Sequence, residues 1–148
     1  MIKVSTILQQ KGSSVWTISP EATILDALIM MAKKNVGALV VEENGEICGI
    51  VSERDYVRKT AHNRSGDLIS PVKDYMTSEV YTVTPEQTLD DCMAWMTREH
   101  IRHLPVVEGK RLVGIISIGD VVKNLLDEKS TTIDEMENYI LGRGYVRK

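Results

Sequence analysis

Cysteine is scarce in this chain of 148 residues, which carries only Cys48 and Cys92. Both sit inside apolar runs, so they read as small buried hydrophobes in a reducing compartment, and no disulfide framework is expected. Long apolar runs are missing as well. No stretch reaches the roughly eighteen residues that a membrane span requires, and the opening MIKVSTILQQKG lacks the apolar stretch of a secretory leader. There is no dense basic run, and the formal net charge is −3, which argues against nucleic acid as a partner. Catalytic signatures are absent too: no Gly-x-Ser-x-Gly elbow, no Walker loop and no Cys-His arrangement. His100 and His103 lie three apart, but no Cys or carboxylate accompanies them at matching spacing, so no metal site is expected. The expectation is a cytoplasmic protein without catalysis. Its 43% apolar and 26% charged residues suffice for a core and a solvated surface.

What the chain does contain is repetition. GIVSERD at Gly49–Asp55 returns as GIISIGD at Gly114–Asp120, and the shift of 65 positions lays Val15–Arg58 over Val80–Lys123 without a gap. VWTISPEATILDAL then faces VYTVTPEQTLDDCM, GALVVEE faces RHLPVVE, and CGIVSERDYVR faces VGIISIGDVVK. About a third of the positions are identical and most others exchange one apolar residue for another, the signature of an internal duplication.

Each copy predicts the order β-α-β-β-α. Val15–Ile18 is a short strand ended by Pro20. Thr23 and Asp26, like Thr88 and Asp91, have the spacing of a capping box that opens a helix, the first running to about Asn35. Leu39–Val41 and Ile47–Val51 form β-rich runs joined by Glu43–Glu46, and Asn44-Gly45 within that joint is a strong hairpin signal. GIVSERD then starts a second helix. One copy alone has too little core, so the two halves are expected to pack sheet to sheet with pseudo-two-fold symmetry. The chain divides into residues 1–65, 66–128 and a tail, 129–148. In the tail, Thr132 is placed to cap a helix bearing Ile133, Met136 and Ile140 on one face, with Gly142 at its end. That face suits either its own domain or a second subunit.

The repeated Ser-x-x-Asp admits two roles. It can be a helix cap, with serine accepting from free backbone N–H groups and aspartate reaching back. It can equally be a ligand seat, since a helix start offers N–H groups and a positive dipole end to an anion. Serine would then meet a phosphate and aspartate the vicinal diol of a ribose.

These residues carry a resemblance. Both TIS-P/TVTP strands, both Gly-apolar-apolar-Ser-x-x-Asp junctions, SERDY and IRHLPVV make the chain similar to a tandem pair of CBS domains, the Bateman module of bacterial stand-alone CBS-pair proteins, over Val4 to about Leu126. The resemblance implies a mixed α+β fold and a cleft for adenosine ligands: AMP, ADP, ATP, and in some members NAD(H) or S-adenosylmethionine. It assigns Ser52 and Asp55 to one site and Ser117 and Asp120 to the other, with backbone near Thr17 and Thr82 along the adenine edge. It also implies homodimers and an unnamed regulated protein. The copies are unequal where phosphate needs positive charge. Arg54 faces Gly119, and Arg102-His103 face Gly37-Ala38, which leave room for a flat base. Arg102 and His103 are expected to cross towards the Ser52–Asp55 site and join Arg54, with Lys11 assisting from the loop before the first strand. His103 could instead be a partly buried, hydrogen-bonded histidine.

Overall fold

Local capping starts the helices where the sequence places them. The computed structural model describes residues 1–63 and 66–140, with the backbone alone for 129–132 and 138–139. Thr23 precedes α2 (Ile24–Lys34) and Thr88 precedes α4 (Leu89–Glu99). Each threonine accepts from the N–H of Asp26 or Asp91, and that aspartate accepts from the threonine N–H, so both boxes are complete. Two donors that the first turn leaves orphaned are thereby satisfied.

After α2 the chain forms a hairpin of β2 (Ala38–Glu43) and β3 (Glu46–Ser52), turned through Asn44 at φ 53° and Gly45 at φ 79°. Both turn residues are left-handed, which is why Asn-Gly marked the place. The second half repeats it with β4 (His103–Glu108) and β5 (Arg111–Ser117). Each hairpin is antiparallel with one irregularity, at Val41/Glu42 and at Val106/Val107. The first strand of each copy is shorter than expected. β1 is Thr17–Ile18, parallel to β2, while its counterpart shrinks to one bridge between Val83 and Val106. β3 runs directly into α3 (Glu53–Asn63) and β5 into α5 (Ile118–Ile140).

The halves hold each other by exchanging the segments that lead into them. Helix α1 (Val4–Lys11) precedes the first copy, yet its Val4, Ile7 and Leu8 are buried with Leu89, Cys92, Leu104 and Ile116 of the second. The short helical turn Val72–Asp74 precedes the second copy, yet Val72 and Tyr75 are buried with Ile24, Met31 and Val51 of the first. Backbone bonds mirror this exchange. Val4 N–H donates to the Gln87 carbonyl and Leu89 N–H to Ile2, while Val72 N–H donates to Ala22 and Ile24 N–H to Ser70.

The exchange explains the repeated glycine. A Cβ on Gly114 would lie 2.6 Å from Leu8, and one on Gly49 would lie 2.6 Å from Met76. Each leading segment therefore presses a side chain onto the sister hairpin where only hydrogen fits. The strands Leu39–Val41 and Leu104–Val106 are buried throughout, as strands of facing sheets must be. Cys92 lies fully inside, its thiol pushed up to about 11 by burial and held protonated.

The tail helix expected to start after Thr132 is not a separate one. Helix α5 runs 23 residues without interruption, roughly 35 Å at 1.5 Å per residue, so residues 127–132 continue a helix rather than ending one. The cap assigned to the Thr132 side chain and the stop at Gly142 lie outside the described residues. Among the described residues no helix is long and apolar enough to cross a membrane.

Alanine at Gly49 must displace Met76 and also meets the Thr77 carbonyl oxygen at 3.0 Å, whose backbone is paired with Ile50. Alanine at Gly114 meets only the flexible end of Leu8. Gly49→Ala is expected to cost about 1–3 kcal/mol by overpacking, and Gly114→Ala less. Urea midpoints of the two variants check the order.

Candidate functional site

Both Ser-x-x-Asp junctions act as helix caps. Asp55 accepts from the Ser52 N–H at 2.8 Å and from its hydroxyl at 2.9 Å, both on Oδ2, while the Asp55 N–H donates to Ser52 Oγ at 3.1 Å. Asp120 accepts from the Ser117 N–H at 2.9 Å, and its own N–H donates to Ser117 Oγ at 3.2 Å. Strand-opening carbonyls fix the same helix starts, Gly37 accepting from Glu53 N–H and Arg102 from Ile118 N–H. Of the two roles open from the sequence, capping is thus realised at both junctions. It does not use up Asp55, since no bond among the described residues falls on Oδ1.

Beside the first junction lies a cavity of about 460 Å³. Its floor is Gly37, Ala38 and Ile50, and one wall is the start of α3, with Ser52, Arg54, Asp55 and Arg58. The opposite wall comes from the second half: Thr77 and Glu79–Tyr81, then Glu99–His103. The left-handed His100 ends α4 and turns the chain into β4, which delivers Arg102 and His103 across the gap. Gly37 lies against His103: a Cβ there would stand 3.8 Å from Nε2, an ordinary contact.

Three guanidinium groups meet at this cavity. Arg58 and then Arg102, with a further contribution from burial, hold the pKa of Arg54 below its usual value against the pull of Asp55. Like charges so placed repel, and among the described residues none of the three is ion-paired with a carboxylate. Arginine forks left unpaired beside a helix start form an anion seat. Glu79 and Glu99 carry the opposite charge on the far wall. Tyr81 lies between them and packs against Trp95, with ring centroids 5.3 Å apart.

The second junction is differently furnished. Lys11 ends α1, and its ammonium donates to Asp120 Oδ2 at 2.7 Å and to the Ile115 carbonyl at 3.0 Å. Burial alone would raise the Asp120 carboxyl, but the bonds from Lys11 and the Ser117 N–H hold it below the usual aspartate range. This corrects the placement expected of Lys11. It stands at the second junction rather than the first, because the exchanged α1 packs on the second copy. It also belongs to a helix instead of a loop.

His103 lies within reach of both junctions. Burial, then Lys11, then Arg102 lower its pKa, while Asp120 and Asp55 pull the other way. The neutral form is favoured, and His103 is half-buried.

The structure thus brings together Ser52, Arg54, Asp55, Arg102, His103, Gly37 and Ala38 around one cavity, and sets Ser117, Asp120 and Lys11 apart from it. Thr17 lies in β1, and Thr82 is exposed; neither lines the cavity, whereas Val80 and Tyr81 beside Thr82 do. Arg58 and Tyr81 escaped sequence reasoning. Arg58 follows Arg54 by four residues and so shares its helix face, a signal that was available. Tyr81 carried none without the fold. Among the described residues no group of three or more His, Cys, Asp or Glu is placed to hold a metal.

The family model described as "CBS domain" matches residues 11–62 and again 72–127, and the chain belongs to that family as a tandem pair. CBS domain-containing protein CBSX3, mitochondrial, of Arabidopsis thaliana is 38% identical over 152 residues, covering 96% of this chain and 73% of its own length. CBS domain-containing protein YhcV of Bacillus subtilis is 35% identical over 128 residues, 86% of this chain and 90% of its own. Among solved structures, a CBS-domain protein from Burkholderia ambifaria superposes with a TM-score of 0.80 at 41% identity, over 84% of this chain and 94% of the other. A CBS domain protein of Pyrobaculum aerophilum complexed with AMP has a TM-score of 0.70 at 29% identity, over 80% and 89%. The CBS domain pair of protein MJ0100, in complex with 5′-methylthioadenosine and S-adenosyl-L-methionine, reaches 0.75 at 25% identity, over 87% and 98%.

The state of His103 gives a pH prediction. Its folded pKa lies below the unfolded value of about 6.5, so below that pH the unfolded chain takes up a proton that the folded chain resists. Stability should therefore fall as pH drops from about 7.5 to about 5.5. His103→Gln should flatten that decline, as read from urea midpoints across the interval.

Proposed function

We propose that this protein is a regulatory sensor whose first cleft binds an adenine nucleotide, with phosphates towards Arg54, Arg58 and Arg102 and the ribose towards Asp55. The observation that carries this reading is the convergence on a cavity at a helix start of three guanidinium groups, none ion-paired among the described residues. A volume of about 460 Å³ falls within the range of small-molecule sites. Asp55 Oδ1 can accept from a vicinal diol without giving up the cap made by Oδ2, and Gly37 and Ala38 leave a flat floor for the base. AMP, ADP and ATP suit this charge distribution best. ADP and ATP place more charge against the arginines than NAD(H) does, and S-adenosylmethionine, which has no phosphate, places none. The relatives solved with AMP and with S-adenosyl-L-methionine support the class.

The reading is of a binding module and not an enzyme, acting in the cytoplasm on a protein it regulates. Nucleotide can shift that partner only as far as it binds two states of the module unequally. A second, interaction-based role is favoured by α5, where Leu126, Ile133, Met136 and Ile140 are all more than half exposed. A homodimer covering that face is compatible with nucleotide binding.

Thermal melting with AMP, ADP, ATP, NADH and S-adenosylmethionine tests the function, since a ligand of the folded form raises the midpoint with its occupancy. AMP, ADP or ATP is expected to give the largest shift, and no shift with any of the five would favour the interaction role alone. Arg102→Ala should weaken AMP or ADP by tenfold or more in isothermal titration, about 1.5–3 kcal/mol for a charged hydrogen bond. Unchanged affinity would remove Arg102 from the phosphate site.

A further inference from the structure

The duplication that made two junctions put different charges beside them. Leu8 covers Gly114 and Met76 covers Gly49, so the two leading segments correspond at these residues. Three residues further on, one segment carries Lys11 and the other Glu79. Glu79 lines the first cavity and, being an acid, cannot pair with Asp55. Lys11 pairs with Asp120 at 2.7 Å.

We infer that Lys11 determines the binding stoichiometry: its ammonium occupies the ribose position of the second junction, so the chain takes one nucleotide where its symmetry offers two. The inference rests on the reading of the first cleft as a nucleotide site and extends it to the second. The placement is specific. Lys11 bridges the Asp120 carboxylate and the Ile115 carbonyl, and the counterparts of those two residues, Asp55 and Ile50, both line the first cavity. The lysine therefore spans the second copy between the positions that bound the open space in the first.

A diol entering there must displace an ammonium from a carboxylate and offer neutral hydroxyls in exchange. The pair is partly shielded, with side-chain exposures of 33% and 23%, so water screens it less than an open surface pair. The second junction also lacks the compensation that the first offers a phosphate. Arg54 and Arg102 are replaced by Gly119 and Gly37, and only Arg58 has a cationic counterpart, Lys123. Lys11 is tethered by the exchanged α1, so it acts as an internal ligand at high effective concentration.

Isothermal titration of the full chain with AMP, comparing wild type with Lys11→Met and Lys11→Arg, tests this. Wild type and Lys11→Arg should bind one equivalent per chain. Lys11→Met should gain a second event, weaker than the first because only Lys123 is left to meet the phosphate, with the first unchanged. A wild type that binds two, a Lys11→Met protein that stays at one, or one that loses its single event would each overturn the inference, the last by making Lys11 a nucleotide contact. A wild type that binds none refutes the first-cleft reading and with it the one-site stoichiometry; a gain from none to one in Lys11→Met would then show that Lys11 still blocks the second junction, and no gain would overturn that too. Carbon NMR titration of the Asp120 carboxyl, without nucleotide, gives a separate check. Its pKa should rise in Lys11→Met and stay low in Lys11→Arg, and no rise would show that the lysine is not seated there.

Discussion

The contact on which this molecule depends is the pressing of Leu8 onto Gly114 and of Met76 onto Gly49. Each side chain belongs to a segment that leads into one copy and is buried in the other. A copy separated from its sister would lose more than a neighbour. It would lose the segment that closes its own core, Val4, Ile7 and Leu8 in one case and Val72 and Tyr75 in the other. Copies of this size bury too little apolar surface to fold alone, and mutual completion supplies what each lacks. The same exchange fixes how the halves meet, so the position of every group in the cleft follows from it.

Electrostatics then separates what symmetry made alike. The backbone at the two junctions is nearly superposable in pattern: a strand-opening carbonyl, a glycine, a serine and an aspartate closing a cap. Around that common frame, one junction gathers arginines with no carboxylate ion pair among the described residues and the other gathers a lysine already matched to its aspartate. An unpaired cluster of cations is costly by itself and is relieved by an anion, whereas a matched pair resists displacement. The charges at the two junctions, which a duplication left free to diverge, therefore differ where the backbone pattern does not. His103 lies between the two and senses the charge at both.

Much of the framework was legible in the chain. The 65-residue repeat, the capping boxes at Thr23 and Thr88, the Asn44-Gly45 turn and the order β-α-β-β-α all follow from local rules, because caps, turns and strand alternation are set by residues a few positions apart. The meeting of Arg102 and His103 with Ser52, Arg54 and Asp55 was expected from the family resemblance, with a difference between copies at matched positions beside it. Lys11 was not placed correctly, since nothing local says that α1 will pack on the distant copy. The resemblance pointed to backbone near Thr17 and Thr82; the two threonines do not line the cavity, though Val80 and Tyr81 beside Thr82 do, and Tyr81 became a wall residue only once the strands were set in space. The separate tail helix expected after Thr132 failed for a simpler reason. A polar run need not end a helix when no proline or glycine stops it.

By itself the sequence determined the duplication, the elements of each copy and the residue types at each junction, since these rest on spacing along the chain and on local hydrogen bonding. Only the tertiary structure decided which charges stand beside which junction. That choice depends on a lysine and a glutamate, Lys11 and Glu79, carried to opposite clefts by exchanged segments, and on charges that meet only through space.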